Sequence, residues 1–291
     1  MDEPFSFIPS EPESVQEPLP ETALSELQTV EEARRRGDQL MRLGRYEEAF
    51  RFYRRAIDMD GNNTEHYIHL GDAYVYADQP ARALAYYQRA IRLNPRDPEP
   101  YYALGEIYRR YGRYDAAIAH FRRAIEFGAN NAFVHFKYAE VLALSQQYRQ
   151  AVEAGRCAVN YEPSNGFYRF WLADLLEQIG EVEEAMQEME IATLLNPEDD
   201  YYHFRYGLLC IENEQYEQAL QSIQTALRIQ PNRPLYLTLL GDIYYLLHEE
   251  QRAKEAYQLA GELDSYERTE IKRARQLAKL IPREEPDWDN L

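Results

Sequence analysis

Few residues in this chain combine a reactive type with the spacing that catalysis or metal binding requires. His66 and His69 form the only metal-like pair, and no third ligand lies near them in the sequence. The chain contains no P-loop, no GxGxxG fingerprint, no HExxH motif and no CxxC motif. Cys157 and Cys210 lie far apart inside helical patterns, and we interpret them as reduced packing residues. The sequence therefore predicts no catalytic residue, no bound metal and no cofactor.

The net charge of the chain disfavours two classes of binding partner. The formal net charge is −18, with 50 Asp and Glu against 32 Lys and Arg. Proteins that bind nucleic acids or anionic membranes need a basic surface, so both classes are disfavoured. We find neither a signal-peptide pattern at the N-terminus nor a stretch long and apolar enough to span a membrane. We expect a cytoplasmic protein whose partners carry apolar or basic side chains, with peripheral membrane association left open.

A repeat of 34 residues determines where every side chain of interest must lie. The triplet Leu70-Gly71-Asp72 recurs as Leu104-Gly105-Glu106 and as Leu240-Gly241-Asp242. Two alanine series follow the same step without an insertion: Ala49, Ala83, Ala117, Ala151, Ala185, Ala219 and Ala253, and Ala56, Ala90, Ala124, Ala158, Ala192, Ala226 and Ala260. Self-similarity at a fixed period of this length is typical of helical repeat proteins, in which stacked units bury a continuous core.

Each repeat has the pattern of two helices joined by a turn. In one representative repeat, Tyr101, Leu104 and Tyr108 recur at helical spacing and define one apolar face. A second apolar face around Phe121 follows the turn signal at Gly112. The pattern therefore predicts a helix–turn–helix unit.

This pattern resembles the tetratricopeptide repeat family. The family signature reads here as Tyr67, Leu70, Gly71, Tyr74, Ala83, Tyr87, Ala90 and Pro95. The resemblance covers seven units, which are residues 30–63, 64–97, 98–131, 132–165, 166–199, 200–233 and 234–267. It implies an all-α, right-handed superhelical solenoid of seven helix–turn–helix repeats plus a C-terminal capping helix.

The segments outside the repeats differ from them in composition. Residues 1–29 hold seven acidic residues and no Lys or Arg, with five prolines in the first 20 positions, so we expect a disordered acidic arm. Residues 268–281 have the apolar spacing of an amphipathic helix, and the resemblance implies that this helix caps the last repeat. Residues 282–291 are interpreted as a short acidic tail.

Two units depart from the family pattern. Arg36 replaces the Leu of the first unit, as expected for a terminal repeat with one uncovered side. Gly155 replaces the aromatic residue in the second helix of the fourth unit, where glycine costs ~1 kcal/mol relative to alanine. Gly155 indicates either a local packing adjustment or a softer joint between the fourth and fifth units.

The second, fifth, ninth and twelfth positions of each unit, spaced 3, 4 and 3 residues apart, form a helix stripe that is separate from the packing positions. The resemblance implies that this stripe faces the concave groove of the solenoid. The predicted partner-binding residues are Tyr102, Glu106, Phe133, Phe136, Glu140, Phe167, Phe170, Trp171, Asp174, Tyr201 and Phe204. Aromatic rings beside carboxylates indicate a site for apolar and cationic side chains, although part of this pattern is common throughout the family.

The sequence favours a non-enzymatic protein–protein interaction scaffold or assembly factor that binds a peptide or helix in this groove. Two alternatives are an assembly helper for a membrane protein complex and a targeting or regulatory subunit of a separate enzyme. The inner positions lack the Lys and Asn with which family members bind chaperone carboxylates, so that role is disfavoured. Self-association stays open. A further alternative is that the N-terminal arm of the same chain occupies the groove through Phe5, Phe7 and Ile8. The acidic charge of the arm disfavours this alternative, because the groove also carries carboxylates.

The expected capping helix leads to a first prediction. Truncation after Glu267 should uncover Leu240, Tyr244 and Tyr257 and promote aggregation, because the end of a repeat array exposes apolar surface. Size-exclusion chromatography and thermal melting of the full and truncated chains measure the effect. A truncated chain as soluble and as stable as the full chain would show that the segment is dispensable.

Overall fold

Helices make up the regular secondary structure of the computed structural model, which describes residues 29–263 together with Arg275, Ala278 and Lys279. Fourteen helices follow one another between residues 29 and 263, and no strand occurs in that range. They are α1 Val30–Arg42, α2 Tyr46–Met59, α3 Thr64–Tyr76, α4 Pro80–Leu93, α5 Pro98–Arg110, α6 Tyr114–Glu126, α7 Ala132–Leu144, α8 Tyr148–Tyr161, α9 Gly166–Gln178, α10 Val182–Leu195, α11 Asp200–Glu212, α12 Tyr216–Ile229, α13 Pro234–Leu246 and α14 Glu250–Leu263. The predicted all-α fold is confirmed for these residues.

Successive helices pack in pairs as helix–turn–helix hairpins. Helix α1 packs on α2, α3 on α4, α7 on α8, α9 on α10, α11 on α12 and α13 on α14. The second helix of one hairpin also packs on the first helix of the next, as α2 does on α3 and α10 on α11. The described residues form two compact units: a first unit of residues 29–111 with 126–128, and a second unit of residues 112–125 with 129–263. The predicted helix–turn–helix organisation is thus confirmed, while the repeat number and the handedness stay predictions.

The turn inside each hairpin depends on one residue in the left-handed backbone region. These residues are 34 positions apart, with positive φ angles at Gly44 (71°), Asp78 (54°), Gly112 (67°), Gln146 (62°), Gly180 (83°), Glu214 (58°) and His248 (62°). Glycine adopts this conformation freely, whereas other residues lose at least ~1 kcal/mol there. The four turns without glycine show that helix packing outweighs this local cost.

A tyrosine of the second helix closes the hairpin against a glycine of the first. In the second hairpin, a Cβ atom added to Gly71 would lie 2.6 Å from Cε1 of Tyr87. The Tyr87 hydroxyl donates a hydrogen bond of 2.6 Å to Asp72. Two further hairpins repeat this contact, with Gly37, Tyr53 and Asp38 and with Gly241, Tyr257 and Asp242. Burial raises the pKa of Tyr87, so the hydroxyl stays protonated and remains a donor.

The fourth hairpin solves the same packing problem differently. Gly155 of α8 occupies the position at which the other second helices carry a larger side chain, and Ala139 replaces the glycine found at the equivalent first-helix position of most hairpins. The space is filled by α9, because a Cβ atom on Gly155 would lie 3.3 Å from Leu172 Cδ1 and 3.4 Å from Leu175 Cδ1. This contact favours a local packing adjustment over a softer joint at Gly155.

Three described residues beyond α14 contact the last hairpins. Arg275 donates hydrogen bonds of 2.7 and 2.6 Å to the two carboxylate oxygens of Asp242, and its guanidinium lies 6.0 Å from the ring centroid of Tyr257. Ala278 is buried, and Lys279 forms an ion pair with Glu212. The rest of the expected capping helix at 268–281 lies outside the described residues, as do the acidic tail and residues 1–28 of the arm.

The glycine contact yields a prediction with a matched control. Gly71→Ala should lower the free energy of unfolding by about 1–3 kcal/mol, because Tyr87 is buried and cannot retreat from the new methyl group. Gly261→Ala should instead stabilise the chain by up to ~1 kcal/mol, since no atom of the described residues lies within 4 Å of the added Cβ and alanine favours a helix. Thermal melting by circular dichroism measures both. Equal shifts of the two melting temperatures would contradict the clash.

Candidate functional site

An aromatic stripe runs along the first helices of three consecutive hairpins in the second unit. It consists of Phe133 and Phe136 on α7, Phe167, Phe170 and Trp171 on α9, and Tyr201 and Phe204 on α11. Two residues three positions apart share a helix face, and the 34-residue step repeats that face on the next first helix. The structure therefore brings together the aromatic residues that the sequence predicted between 133 and 204.

The rings of the aromatic stripe contact one another from hairpin to hairpin. The Phe136 ring centroid lies 5.1 Å from that of Phe167 and 5.1 Å from that of Trp171, with edge-on geometry in both pairs. One hairpin further, Phe170 lies 5.7 Å from Tyr201 and stacks on Tyr202 at 4.9 Å. Phe204 then stacks on Tyr236 of α13 at 5.2 Å. Each fifth-position ring thus joins its hairpin to the next, and such pairs add ~1 kcal/mol beyond area burial.

The two rows of rings differ in their access to solvent. Phe133, Phe167 and Tyr201, at the second position, are 49, 44 and 43% exposed. Phe136 and Phe204, at the fifth position, are only 9 and 5% exposed. The second-position rings are therefore the surface that a partner could contact. Phe136 and Phe204 belong to the core between hairpins, whereas Phe170 is half-buried.

Carboxylates that the sequence assigned to the groove already have cationic partners within the chain. Glu140 accepts a hydrogen bond of 2.9 Å from Lys137, whose ammonium lies 5.4 Å from the ring centroid of Phe136. In the first unit, Glu106 forms an ion pair of 3.1 Å with Arg109. These pairs reduce the charge that the carboxylates offer to a partner.

Arg205 of α11 connects two carboxylates of α9. Its guanidinium lies 2.7 Å from Asp174 Oδ1 and 2.6 Å from Glu177 Oε2, and its side chain is largely buried. Burial raises the pKa of Asp174 to about 6, and the Arg205 guanidinium opposes this shift without cancelling it. Burial likewise raises the pKa of Glu177. Arg205, Asp174 and Glu177 therefore form an ion-pair cluster that joins α11 to α9 beside the aromatic stripe.

The remaining predicted residues lie elsewhere in the described chain. Tyr102 and Glu106 lie half-buried on α5 in the first unit, whereas the aromatic stripe belongs to the second. His66 is buried, 3.9 Å from Asp60, and burial lowers the pKa of its imidazole. Among the described residues, no three His, Cys, Asp or Glu side chains are grouped so that they could hold a metal ion. No described helix is long and apolar enough to cross a membrane.

Sequence reasoning missed the internal partners of the ninth-position carboxylates. Tyrosine occurs at the twenty-fourth position in the hairpins of Asp38, Asp72 and Asp242, and the spacing of 15 residues is a signal that could have revealed this pairing. The Lys137–Glu140 pair was also readable from its spacing of three residues. The Arg205 contacts span 31 and 28 residues, and they depend on how one hairpin stacks on the next.

Comparisons with known proteins agree with the hairpin architecture. Family models described as tetratricopeptide repeat match residues 29–96, 69–132 and 172–234. The crystal structure of YrrB, described as a TPR protein with an unusual peptide-binding site, is 25% identical, with a TM-score of 0.58 over 64% of this chain and 95% of that one. A tetratricopeptide repeat protein from Parabacteroides merdae is 16% identical over 87% of this chain and 100% of its own, with a TM-score of 0.55, and so shows the fold alone. MamA from Desulfovibrio magneticus RS-1 is 21% identical over 58% and 95%, with a TM-score of 0.52. No curated protein sequence matches the chain significantly.

The pKa of Asp174 gives a pH-dependent prediction. Asp174 should titrate near pH 6, about two units above the ~3.9 of an unfolded aspartate, so its proton binds more tightly in the folded chain. The folded state holds the extra proton between about pH 4 and 6, and the contribution of Asp174 to stability therefore falls as the pH rises through that window. Carboxyl ¹³C NMR measures the midpoint, and Asp174→Asn identifies the resonance by its loss. A midpoint near 4 would refute the burial argument.

Proposed function

The chain belongs to the tetratricopeptide repeat family, and from that premise we propose that it is a non-enzymatic scaffold that holds a protein or peptide partner on the aromatic stripe. The observation that supports this site is the exposure of Phe133, Phe167 and Tyr201, one ring on each of three consecutive hairpins. Exposed apolar surface that recurs in register usually marks an interaction site. The name of the similar YrrB structure also refers to a peptide-binding site.

Pre-organisation makes two of these rings, Phe167 and Tyr201, suitable anchors. Phe167 is held by Phe136 at 5.1 Å, and Tyr201 is held by Phe170 at 5.7 Å and by Phe204 at 5.8 Å. An anchor already fixed by its neighbours loses little conformational entropy when a partner binds. Large aromatic side chains fixed in this way are typical hot spots.

The chemistry of the proposed partner follows from the ion pairs. Because Glu140 and Asp174 are engaged by Lys137 and Arg205, apolar side chains of the partner should supply most of the affinity. Lys or Arg residues of the partner form a second preference, since they can lie over the exposed rings. Residues 132–263 carry 21 Asp and Glu against nine Lys and Arg, which supports our expectation that nucleic acid is not a ligand of this surface.

The proposal predicts that the exposed rings of the aromatic stripe, and not exposed aromatic rings in general, support binding. Phage-displayed random peptides selected on the full chain should yield apolar sequences. Phe133→Ala with Phe167→Ala should weaken the selected peptides at least ~30-fold, because a hot-spot ring contributes ~2 kcal/mol or more. Fluorescence anisotropy with labelled peptides measures the change.

Two controls separate binding from folding. Tyr76→Ala with Tyr111→Ala removes rings that are 69 and 60% exposed outside the aromatic stripe, and peptide affinity should stay unchanged. The melting temperature of Phe133→Ala with Phe167→Ala should remain close to that of the wild type, because both rings are about half exposed. Undiminished peptide binding by that variant would place the binding surface elsewhere.

A further inference from the structure

The first unit carries a basic surface although the chain as a whole is acidic. Its described residues 29–111 hold 14 arginines against 13 Asp and Glu, while the full chain has a net charge of −18. Helix α4 has three exposed arginines and no carboxylate, and α2 adds two exposed arginines. These five residues form an arginine face: Arg51, Arg54, Arg82, Arg89 and Arg92.

Aromatic side chains beneath the arginine face hold several of its guanidinium groups. Arg54 of α2 donates a hydrogen bond to the Tyr74 hydroxyl, and the Arg82 guanidinium of α4 lies 5.7 Å from the centroid of the same ring. The Arg89 guanidinium lies 6.0 Å from the ring centroid of Tyr67. Arginines of α2 and α4 therefore converge on Tyr74, and stacking on rings leaves the outer edges of the guanidinium groups to other acceptors.

Two exposed carboxylates, Glu47 and Asp58, lie on α2 beside the arginine face without forming an ion pair with it. None of its five members forms an ion pair with any described residue, although Asp58 is exposed on the same helix as Arg54. Other arginines of the first unit are neutralised, as Arg34 is by Glu65, Arg36 by Glu32 and Arg45 by Glu48. Five guanidinium groups without an ion pair to a described residue, on two helices that both pack on α3, can attract a carboxylate-rich segment.

We propose that the arginine face binds residues 1–28 of the same chain. This segment contains seven carboxylates and no Lys or Arg, and it is joined directly to α1 of the same unit. A short tether gives it an effective concentration on the order of millimolar, so modest charge attraction suffices. The second unit repels the segment, because residues 132–263 hold 21 acidic against nine basic residues. Its charge thus directs the segment to the arginine face and away from the aromatic stripe.

Energy transfer within the full chain tests this proposal. Donor and acceptor dyes are attached at Ser10→Cys and Gln88→Cys in a Cys157→Ser background; burial raises the pKa of the remaining Cys210 thiol to about 12, which protects it from labelling. Transfer efficiency should be high at low salt and should fall at 1 M salt, where the screening length is ~3 Å. Changing Glu11, Glu13, Glu17 and Glu21 together to Gln should lower the efficiency at low salt to the high-salt value.

Matched arginine variants locate the site. Arg51→Gln, Arg89→Gln and Arg92→Gln together should abolish the salt-sensitive transfer, whereas Arg149→Gln, Arg228→Gln and Arg252→Gln together remove equal charge from the second unit and should preserve it. Circular dichroism verifies that both variants fold. Equal effects of the two variants would overturn the proposal, as would efficiency that rises with protein concentration, since the occupant would then be a second copy. Transfer that survives 1 M salt but is lost in Phe133→Ala with Phe167→Ala would place the segment on the aromatic stripe and overturn it too.

Discussion

The close approach of two helices inside each hairpin is the constraint on which the rest of the structure depends. Large buried rings such as Tyr87 fit only because a glycine faces them, and Gly71 leaves no room for even a methyl group. The ring then places its hydroxyl 2.6 Å from Asp72, which satisfies a polar group that burial would otherwise penalise. Because the hairpins have a fixed length of 34 residues, their outer helix faces recur in register along the chain. A surface that no single hairpin could form is thereby assembled from several.

The position of each ring in the repeat explains why rings of the aromatic stripe differ in solvent exposure. The fifth-position rings, such as Phe136 and Phe204, lie where one first helix meets the next, and they contribute to the cohesion of the array. The second-position rings lie one helical turn earlier, and two of them contact the buried rings: Phe167 contacts Phe136, and Tyr201 contacts Phe204. A substitution of Phe136 or Phe204 should therefore affect both partner binding and stability, whereas a substitution of a second-position ring should affect mainly binding. Arg205 of α11 also joins two hairpins, through ion pairs with Asp174 and Glu177 of α9.

The helices could be predicted from the sequence because each hairpin is encoded by local periodicity and turn signals. The aromatic residues of the stripe could be predicted as well, since spacings of three and 34 residues place them on one face. Their burial could not, because the exposure of Phe136 depends on Phe167 and Trp171 of another hairpin. The carboxylates were misjudged for a related reason: a list of equivalent positions does not show that Lys137 and Arg205 lie beside them. The periodicity of the sequence thus shows which residues share a helix face, whereas the contacts of that face depend on how one hairpin stacks on the next.

Charge in a repeat array acts locally, and this limits what a net charge can indicate. Helix α4 has 14 residues and so is ~21 Å long. The screening length at physiological salt is ~8 Å, which is shorter than this single helix. A charged segment beside α4 therefore responds to Arg82, Arg89 and Arg92 and hardly to carboxylates several hairpins away. Helix α10 shows the opposite case, with four glutamates and no Lys or Arg in its 14 residues. A chain with a net charge of −18 can accordingly present a cationic face and an acidic face on different hairpins, each selecting its own partner.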